Sequence, residues 1–244
     1  MTKLYEAKDH LLILAGYGDP AEHRHMAAHI MISTGGTMDI ISTDGLIRCQ
    51  GVMIPSGISH RVQTNGSPVL VFLYDSTTGI SAQIQNVQDI PEDVCQRIIH
   101  RYRNFEEQDR LDTYGEFMRF VLDCLGLQAP ACRINDARIH DALSYIHNHA
   151  AEPITCKMVA DVVYLSQSRF SHLFREQVGM TVPAYLIYRR LMAVYAQVIQ
   201  GRSITQSALD AGFSSSGHFA DVSRRVFGLS ASEITRDLTF LKVE

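Results

Sequence analysis

The spacing of apolar residues changes character once along this chain, and that change demands two differently built halves. From about residue 10 to 75, short runs rich in Ile, Val, Leu and Met follow one another: LLILAGYG, HIMIS, MDIIS, LIRCQ, VMIPSG and VLVFLYD. Turn-forming stretches (GDP, TGG, TDG, PSG, TNGSP) separate them, a pattern that predicts short antiparallel strands forming a small β-barrel or sandwich. TDG at 43–45 suits a hairpin between MDIIS and LIRC. After a loop near Ser76–Ala82 the apolar spacing becomes three and four. IPEDVCQRIIHRYRNFEEQ opens with Pro91 and two acids, a good helix start, and LDTYGEFMRFVLDCLGL carries the helical pattern to Gly126. LQAPACRIND has a proline and no period, so it reads as the linker; everything from Asp136 onward reads as helices joined by tight turns. The expected class is α+β: a β-barrel at 1–85, a helical linker and dimerisation region at 86–134, and an all-α domain at 135–244.

With 46% hydrophobic and 20% charged residues and no low-complexity run, the chain is expected to fold into globular domains. No apolar stretch approaches a membrane span, and MTKLYEAKDH lacks the features of a signal peptide. Five cysteines without a CxxC pair suit buried thiols in a reducing cytoplasm. Residues 1–134 carry a net charge of −5 and residues 135–244 a slight basic excess of +1, which together give the −4 of the chain. Phosphate binding there would rest on placed residues, not on bulk charge.

Two segments of the C-terminal half share one internal logic. In ITCKMVADVVYLSQSRFSHLFREQVGM, residues 154–180, a short helix is expected to turn Met158, Val159 and Val162 inward, with Ala160 small where a second helix crosses. Ser166 can cap that second helix, Phe170, Leu173 and Phe174 form its apolar stripe, and Gly179 ends it. In SITQSALDAGFSSSGHFADVSRRVFGLS, residues 203–230, the matching parts are Ala208, the turn Gly212-Phe213, a cap at Ser214 or Ser215, and Gly228. A long helix containing YLIYRRLMAVYAQVIQ separates them. Each segment fits the helix-turn-helix plan. Packing explains the apolar positions but not the polar face of Gln167, Ser168, Ser171, His172 and Arg175, which can reach base edges and phosphates.

The second segment resembles the signature of AraC-type transcription regulators: a small residue, Gly-Phe, a Ser-rich cap, His-Phe, a basic pair and Phe-Gly. The first resembles their other motif from Ala160 through Leu165-Ser166, Phe170, Leu173-Phe174 and Gly179 to Tyr185-Leu186. The resemblance covers roughly the last hundred residues. It implies that Ser168, Ser171 and His172 read bases, with Arg169 and Arg175 nearer the backbone. It adds Ser215, Ser216, His218, Asp221, Arg224 and Arg225 as the second DNA-facing set, with Arg224 and Arg225 as phosphate anchors. This chain departs from the pattern at Asp221, where a basic residue is usual, at Ser223, where an aromatic usually packs, and at Ala231, where a proline is usual. The first motif is therefore expected to dominate specificity.

Upstream, EHRHMAAHIMI places His23, His25 and His29 at odd positions. In one unbroken strand all three share a face with Ala27 and Met31. Gly18, His23, His25, His29 and Gly36 resemble the first cupin motif, and Gly51 through Pro55, Gly57 and His60 to Asn65 resemble the second, with His29 standing where metal-dependent cupins place a glutamate. The resemblance implies a cupin-like effector-binding barrel in which His23, His25, His29 and His60 bind a divalent transition metal (Zn, Ni, Cu or Fe), hold a small organic effector without metal, or form a structural cluster.

Two function classes follow. One is a cytoplasmic, homodimeric, one-component regulator, acting as an activator or a repressor, that reads double-stranded promoter DNA and senses a small molecule or metal. The rival is a cupin-type metal-dependent enzyme fused to a DNA-binding domain. No Ser/His/Asp constellation, phosphate loop or paired-carboxylate motif supports catalysis, so the regulator is the reading, with no catalytic residue and no membrane partner.

Overall fold

The computed structural model describes the chain except residues 1, 8, 9, 17–19, 25, 26, 44, 109, 129–133, 150, 151, 153, 228–237 and 244, and gives backbone alone at 238, 240 and 242. It divides into two compact units, Met1–Ala131 with Val226–Glu244, and Cys132–Arg225. His25, Gly18, Asp44 of the TDG turn, the middle of the linker, Gly228 and Ala231 lie outside the described residues.

The first unit is built on strands β1 (Thr2–Glu6), β2 (His10–Ala15), β3 (His23–Arg24), β4 (Ala27–Ser33), β5 (Met38–Ser42), β6 (Gly45–Cys49), β7 (Gly51–Ile54), β8 (Ser59–Gln63), β9 (Val69–Asp75), β10 (Gln88–Ile90) and β11 (Leu238–Lys242). A seven-stranded sheet runs β10-β7-β4-β9-β2-β1-β11 and a four-stranded sheet runs β3-β8-β5-β6. Neighbours pair antiparallel, apart from β11, which lies parallel to β1. The TDG turn joins β5 to β6 with Ser42 opposite Gly45. Helices α1 (Gly79–Gln83), α2 (Glu92–Gln108) and α3 (Tyr114–Cys124) complete the unit, with a 3-10 turn at Leu111–Thr113.

Side-chain alternation sorts the core into two layers. Met31 of β4, Val52 and Ile54 of β7, and Val69 and Val71 of β9 face Met38, Ile40, Cys49 and Val62 of the smaller sheet. The intervening residues, Ala28, Ile30, Ile32, Met53, Leu70, Phe72 and Tyr74, pack instead against Cys95, Ile98, Ile99, Tyr102 and Phe105 of α2 and Tyr114, Phe117, Met118 and Val121 of α3. Every residue of β4 is buried, as expected of a strand covered on both faces. The apolar stripes of α2 and α3, in the region expected to be a linker and dimerisation region, are thus packed inside their own unit.

The second unit contains α4 (Ala137–Asn148), α5 (Cys156–Val162), α6 (Gln167–Val178), α7 (Val182–Ile199), α8 (Ile204–Asp210) and most of α9, which runs Ser216–Phe227. Two expectations fail. The text after Asp136 is not helical throughout, because β11 follows α9. On α5, Met158 and Val162 are 42% and 41% exposed, while Val159, Ala160 and Val163 are buried. Met158 and Val162 are four apart and share one face, and the face one residue on turns inward.

Candidate nucleic-acid interface and histidine cluster

Helices α5 and α6 form the first helix-turn-helix. Thr155 caps α5 by accepting from the Met158 amide, and Ser166 caps α6 by accepting from the Arg169 amide. Between them, Tyr164 N–H donates to the Asp161 carbonyl and Leu165 N–H to the Ala160 carbonyl, closing α5 in a tight left-handed turn. Gly179 ends α6 at φ 84°. Phe170 and Phe174 are fully buried, and Leu173 is half-buried. Phe174 meets Tyr185 of α7 edge-on, with ring centres 5.6 Å apart.

Gln167, Ser168, Arg169, His172 and Arg175 are exposed on α6, as a reading face requires. The His172 side chain is 85% exposed and lies 3.9 Å from Glu176. Ser171 differs: it is half-buried and its hydroxyl lies 3.2 Å from the Cys156 thiol, so α5 already engages it.

Helices α8 and α9 repeat the frame. Ser203 caps α8 through the Gln206 amide, and Ser215 caps α9 through the His218 amide. Gly212 N–H donates to Leu209 and Phe213 N–H to Ala208, matching the first motif bond for bond. Ser215 is therefore occupied at the helix start, and Ser214 lies 3.0 Å from His218 Nδ1. His218, Asp221, Arg224 and Arg225 are exposed, and Ser216 is half-buried. Ser223, at a position suited to an aromatic, is fully buried, and its hydroxyl lies 2.5 Å from that of Tyr195 on α7. Tyr195 in turn stacks obliquely on Phe219 at 5.7 Å. The aromatic body comes from α7 instead of α9.

Sequence reasoning passed over Tyr195, and it passed over Arg138 on α4. The signal for the second was present in Asp136-x-Arg138, an acid that caps a helix followed by a cation within its reach. Asp136 accepts from the Arg138 amide at 3.0 Å and from its guanidinium at 2.9 and 2.6 Å.

In the first unit the histidines meet by an unexpected route. The strand expected to carry His23, His25 and His29 is broken: β3 joins the smaller sheet and β4 the larger. His23 pairs directly with His60 across β3 and β8, and the turn through Gly57, at φ 84°, sets up β8. His29 approaches from β4. Ring centres are 4.6 Å apart for His23 and His60 and 5.2 Å for His29 and His60, and all three residues are at most 5% exposed. His23 Nδ1–H donates to the Ala21 carbonyl at 2.6 Å and His60 Nδ1–H to the Ile58 carbonyl at 2.9 Å, which fixes Nε2 as the acceptor nitrogen of each neutral ring. Burial lowers the pKa of His23, pushes His60 down to about 4, and holds His29 well below the usual value with help from the other two rings. At neutral pH the cluster is uncharged. Among the described residues no three His, Cys, Asp or Glu side chains form a set able to hold a metal ion.

Among the described residues no helix is long and apolar enough to cross a membrane. Residues 159–237 match the family model described as a helix-turn-helix domain. The chain is similar to the HTH-type transcriptional activator RhaS of Enterobacter sp. (strain 638), 33% identical over 103 residues, covering 41% of this chain and 36% of that protein. It is also similar to the probable transcriptional regulator LumQ of Photobacterium leiognathi, 33% identical over 88 residues, covering 36% of each. The chain therefore spans about a third of the length of these relatives. Apo ToxT K231A from Vibrio cholerae superposes with a TM-score of 0.60 at 11% identity, covering 94% of this chain and 98% of that one. ToxT with a bound unsaturated fatty acid gives 0.61 at 10% identity, covering 93% and 95%. These two likenesses establish a shared fold. The C-terminal part of the chain thus matches a helix-turn-helix domain and carries two such motifs, following an N-terminal β domain in a fold shared with ToxT.

Proposed function

We propose that this protein is a sequence-specific DNA-binding transcription regulator, a one-component switch that reads promoter DNA with α6 and α9 and senses a small molecule in its N-terminal unit. The observation that carries the reading is the pair of matched, capped motifs whose second helices leave polar faces exposed. Within them we assign Ser168, His172 and Arg175 to the DNA surface, with Gln167 and Arg169 beside them. On α9 we assign His218, Asp221, Arg224 and Arg225, with Ser216 at the margin. Ser171 and Ser215 take supporting places, since their hydroxyls serve α5 and the α9 cap. The names of RhaS and LumQ support the regulatory role. The reading assigns no catalytic residue.

For the sensing end, the structure of ToxT with a bound unsaturated fatty acid, a protein that shares this fold, supports an organic effector. His23, His29 and His60 would offer it three neutral imidazoles in a buried setting. A second reading, a divalent transition metal, is favoured by the carbonyl-anchored tautomers of His23 and His60, an arrangement common among metal ligands. The described residues alone do not make a metal site, so that reading depends on His25. A homodimer belongs to the same proposal, through a surface other than the buried stripes of α2 and α3.

Selection of bound duplexes from a random-sequence pool tests the function. One enriched motif, bound with steep salt dependence, is expected; no enrichment overturns the proposal. A native mass spectrum with elemental analysis of protein purified without chelator separates organic effector from metal.

A further inference from the structure

Arg138 belongs to neither motif, yet its setting gives it a place at the same surface. We propose that Arg138 is a DNA-backbone phosphate ligand, held at a cleft along α6 by Asp136, with the start of α4 fixed to the far end of α6 by Gln177. The proposal rests on the DNA-binding reading above and adds to it a contact from α4.

An open cleft of about 470 Å³ lies at the N-terminal end of α6, lined by Arg138, Ser166, Ser168, Arg169, His172 and Leu173. Five of these residues belong to α6 or its cap, and Arg138 alone comes from another element. The lining brings together two guanidinium groups, two hydroxyls and an imidazole at the positive end of a helix, the chemistry that recognises a phosphodiester.

Arg138 is prepared for that contact. Its Nε–H and one Nη2–H are taken by the two oxygens of Asp136. A guanidinium has five N–H donors, so three remain beyond this fork, and the side chain is 42% exposed. The ion pair fixes the plane of the group and limits the rotamer entropy lost on binding. Asp136 stays ionised well below neutral pH because Arg138, and more weakly Arg169, hold its carboxyl down at about 2.

Gln177 makes the placement a property of α6 itself. Its side-chain oxygen accepts from the backbone N–H groups of Asn135 and Asp136 at 3.0 and 3.1 Å. The start of α4 is thereby pinned to the helix whose surface Arg138 extends. A brace that merely capped α4 would need Asp136 but not a half-exposed guanidinium facing the cleft.

The experiment uses the full chain, with fluorescence anisotropy across a series of salt concentrations. Two probes serve: a mixed-sequence duplex of about 40 base pairs, long enough for two motif sites, and a duplex enriched by the wild-type protein from a random pool. Arg138→Gln should weaken binding to both by the same factor and reduce the salt slope by about 1. Arg138→Lys should keep the slope and lose affinity severalfold, because it keeps the charge but not the fork. An Arg138→Gln protein with an unchanged slope, whatever its melting temperature, overturns the proposal and leaves DNA binding intact. So does a loss confined to the enriched duplex, which would make Arg138 a base reader, or an Arg138→Lys protein as tight as wild type. Failure of the wild type to bind either probe at low salt overturns the regulatory reading and the phosphate contact with it.

Discussion

The two helix-turn-helix motifs share a frame and differ in nearly everything laid upon it. Both cross at a fully buried alanine, Ala160 or Ala208. Both close the first helix with the same pair of backbone bonds and begin the second under a serine cap. Aligned on those caps, His172 falls opposite Asp221, Arg175 opposite Arg224, Ser168 opposite Gly217 and Phe174 opposite Ser223. The first helix thus offers a hydroxyl and an imidazole where the second offers a bare backbone and a carboxylate. A few residues suffice to specify the frame, so the remaining positions were open to diverge in packing and in reading.

The largest expected effect concerns packing. Phe174→Ala should cost about 3–5 kcal/mol in chemical denaturation, since a buried aromatic leaves a cavity, whereas Ser223→Ala should cost about 1 kcal/mol by losing one hydrogen bond. Equal losses would mean that the two positions are not counterparts. Next comes reading: His172→Ala or Arg175→Ala should weaken binding to an enriched duplex by about 1–2 kcal/mol. Asp221→Ala should leave it unchanged or tighter, because a carboxylate beside phosphates repels. A gel-shift series in which Asp221→Ala is the most damaging substitution would reverse the ranking of the motifs.

Tyr195→Phe isolates the replacement packing of the second motif. It keeps the ring and removes the hydroxyl beside Ser223, so a drop in stability of about 1 kcal/mol is expected; wild-type stability would show that the bond contributes nothing. The smallest effect is at the turn. Tyr164 adopts φ 56° where the other motif has Gly212 at φ 82°, and its side chain is 95% exposed. Glycine removes a left-handed strain of about 1–2 kcal/mol but adds unfolded-state entropy, so Tyr164→Gly should raise stability by about 0.5 kcal/mol. A lower melting temperature would show that the tyrosine ring contributes packing the exposure does not suggest.

Much of this was legible because local chemistry decides it. The cap at Ser166, a second cap narrowed to Ser214 or Ser215, the stops at Gly179 and Gly212, the acidic start of α2 and the switch of period all depend on residues close in sequence. What escaped depends on distant partners. TKLYE is a short, mixed strand with no clear signal of its own, and β11 is a strand only because β1 offers an edge. The stripes of α2 and α3 look alike whether they meet a second chain or the back of a sheet, and β4, β7 and β9 decide the matter. The histidine cluster was readable from residue type, but not its construction. Parity within one strand suggested a shared face, whereas His23 and His29 converge from opposite sheets onto His60.

The pairing of β11 with β1 also sets an order of assembly. The outer edge of β1 waits for a strand encoded after both helix-turn-helix motifs, so during synthesis the β unit cannot finish until the helical unit has left the ribosome. Until then β1 presents unpaired N–H and C=O groups, a template for a neighbouring nascent chain. A premature stop just past α9 would spare α5, α6, α8 and α9 and still leave that seam open, with Val243 lost from the core it joins. Such a product would fail by sticking to its own kind before the proposed DNA contacts could matter.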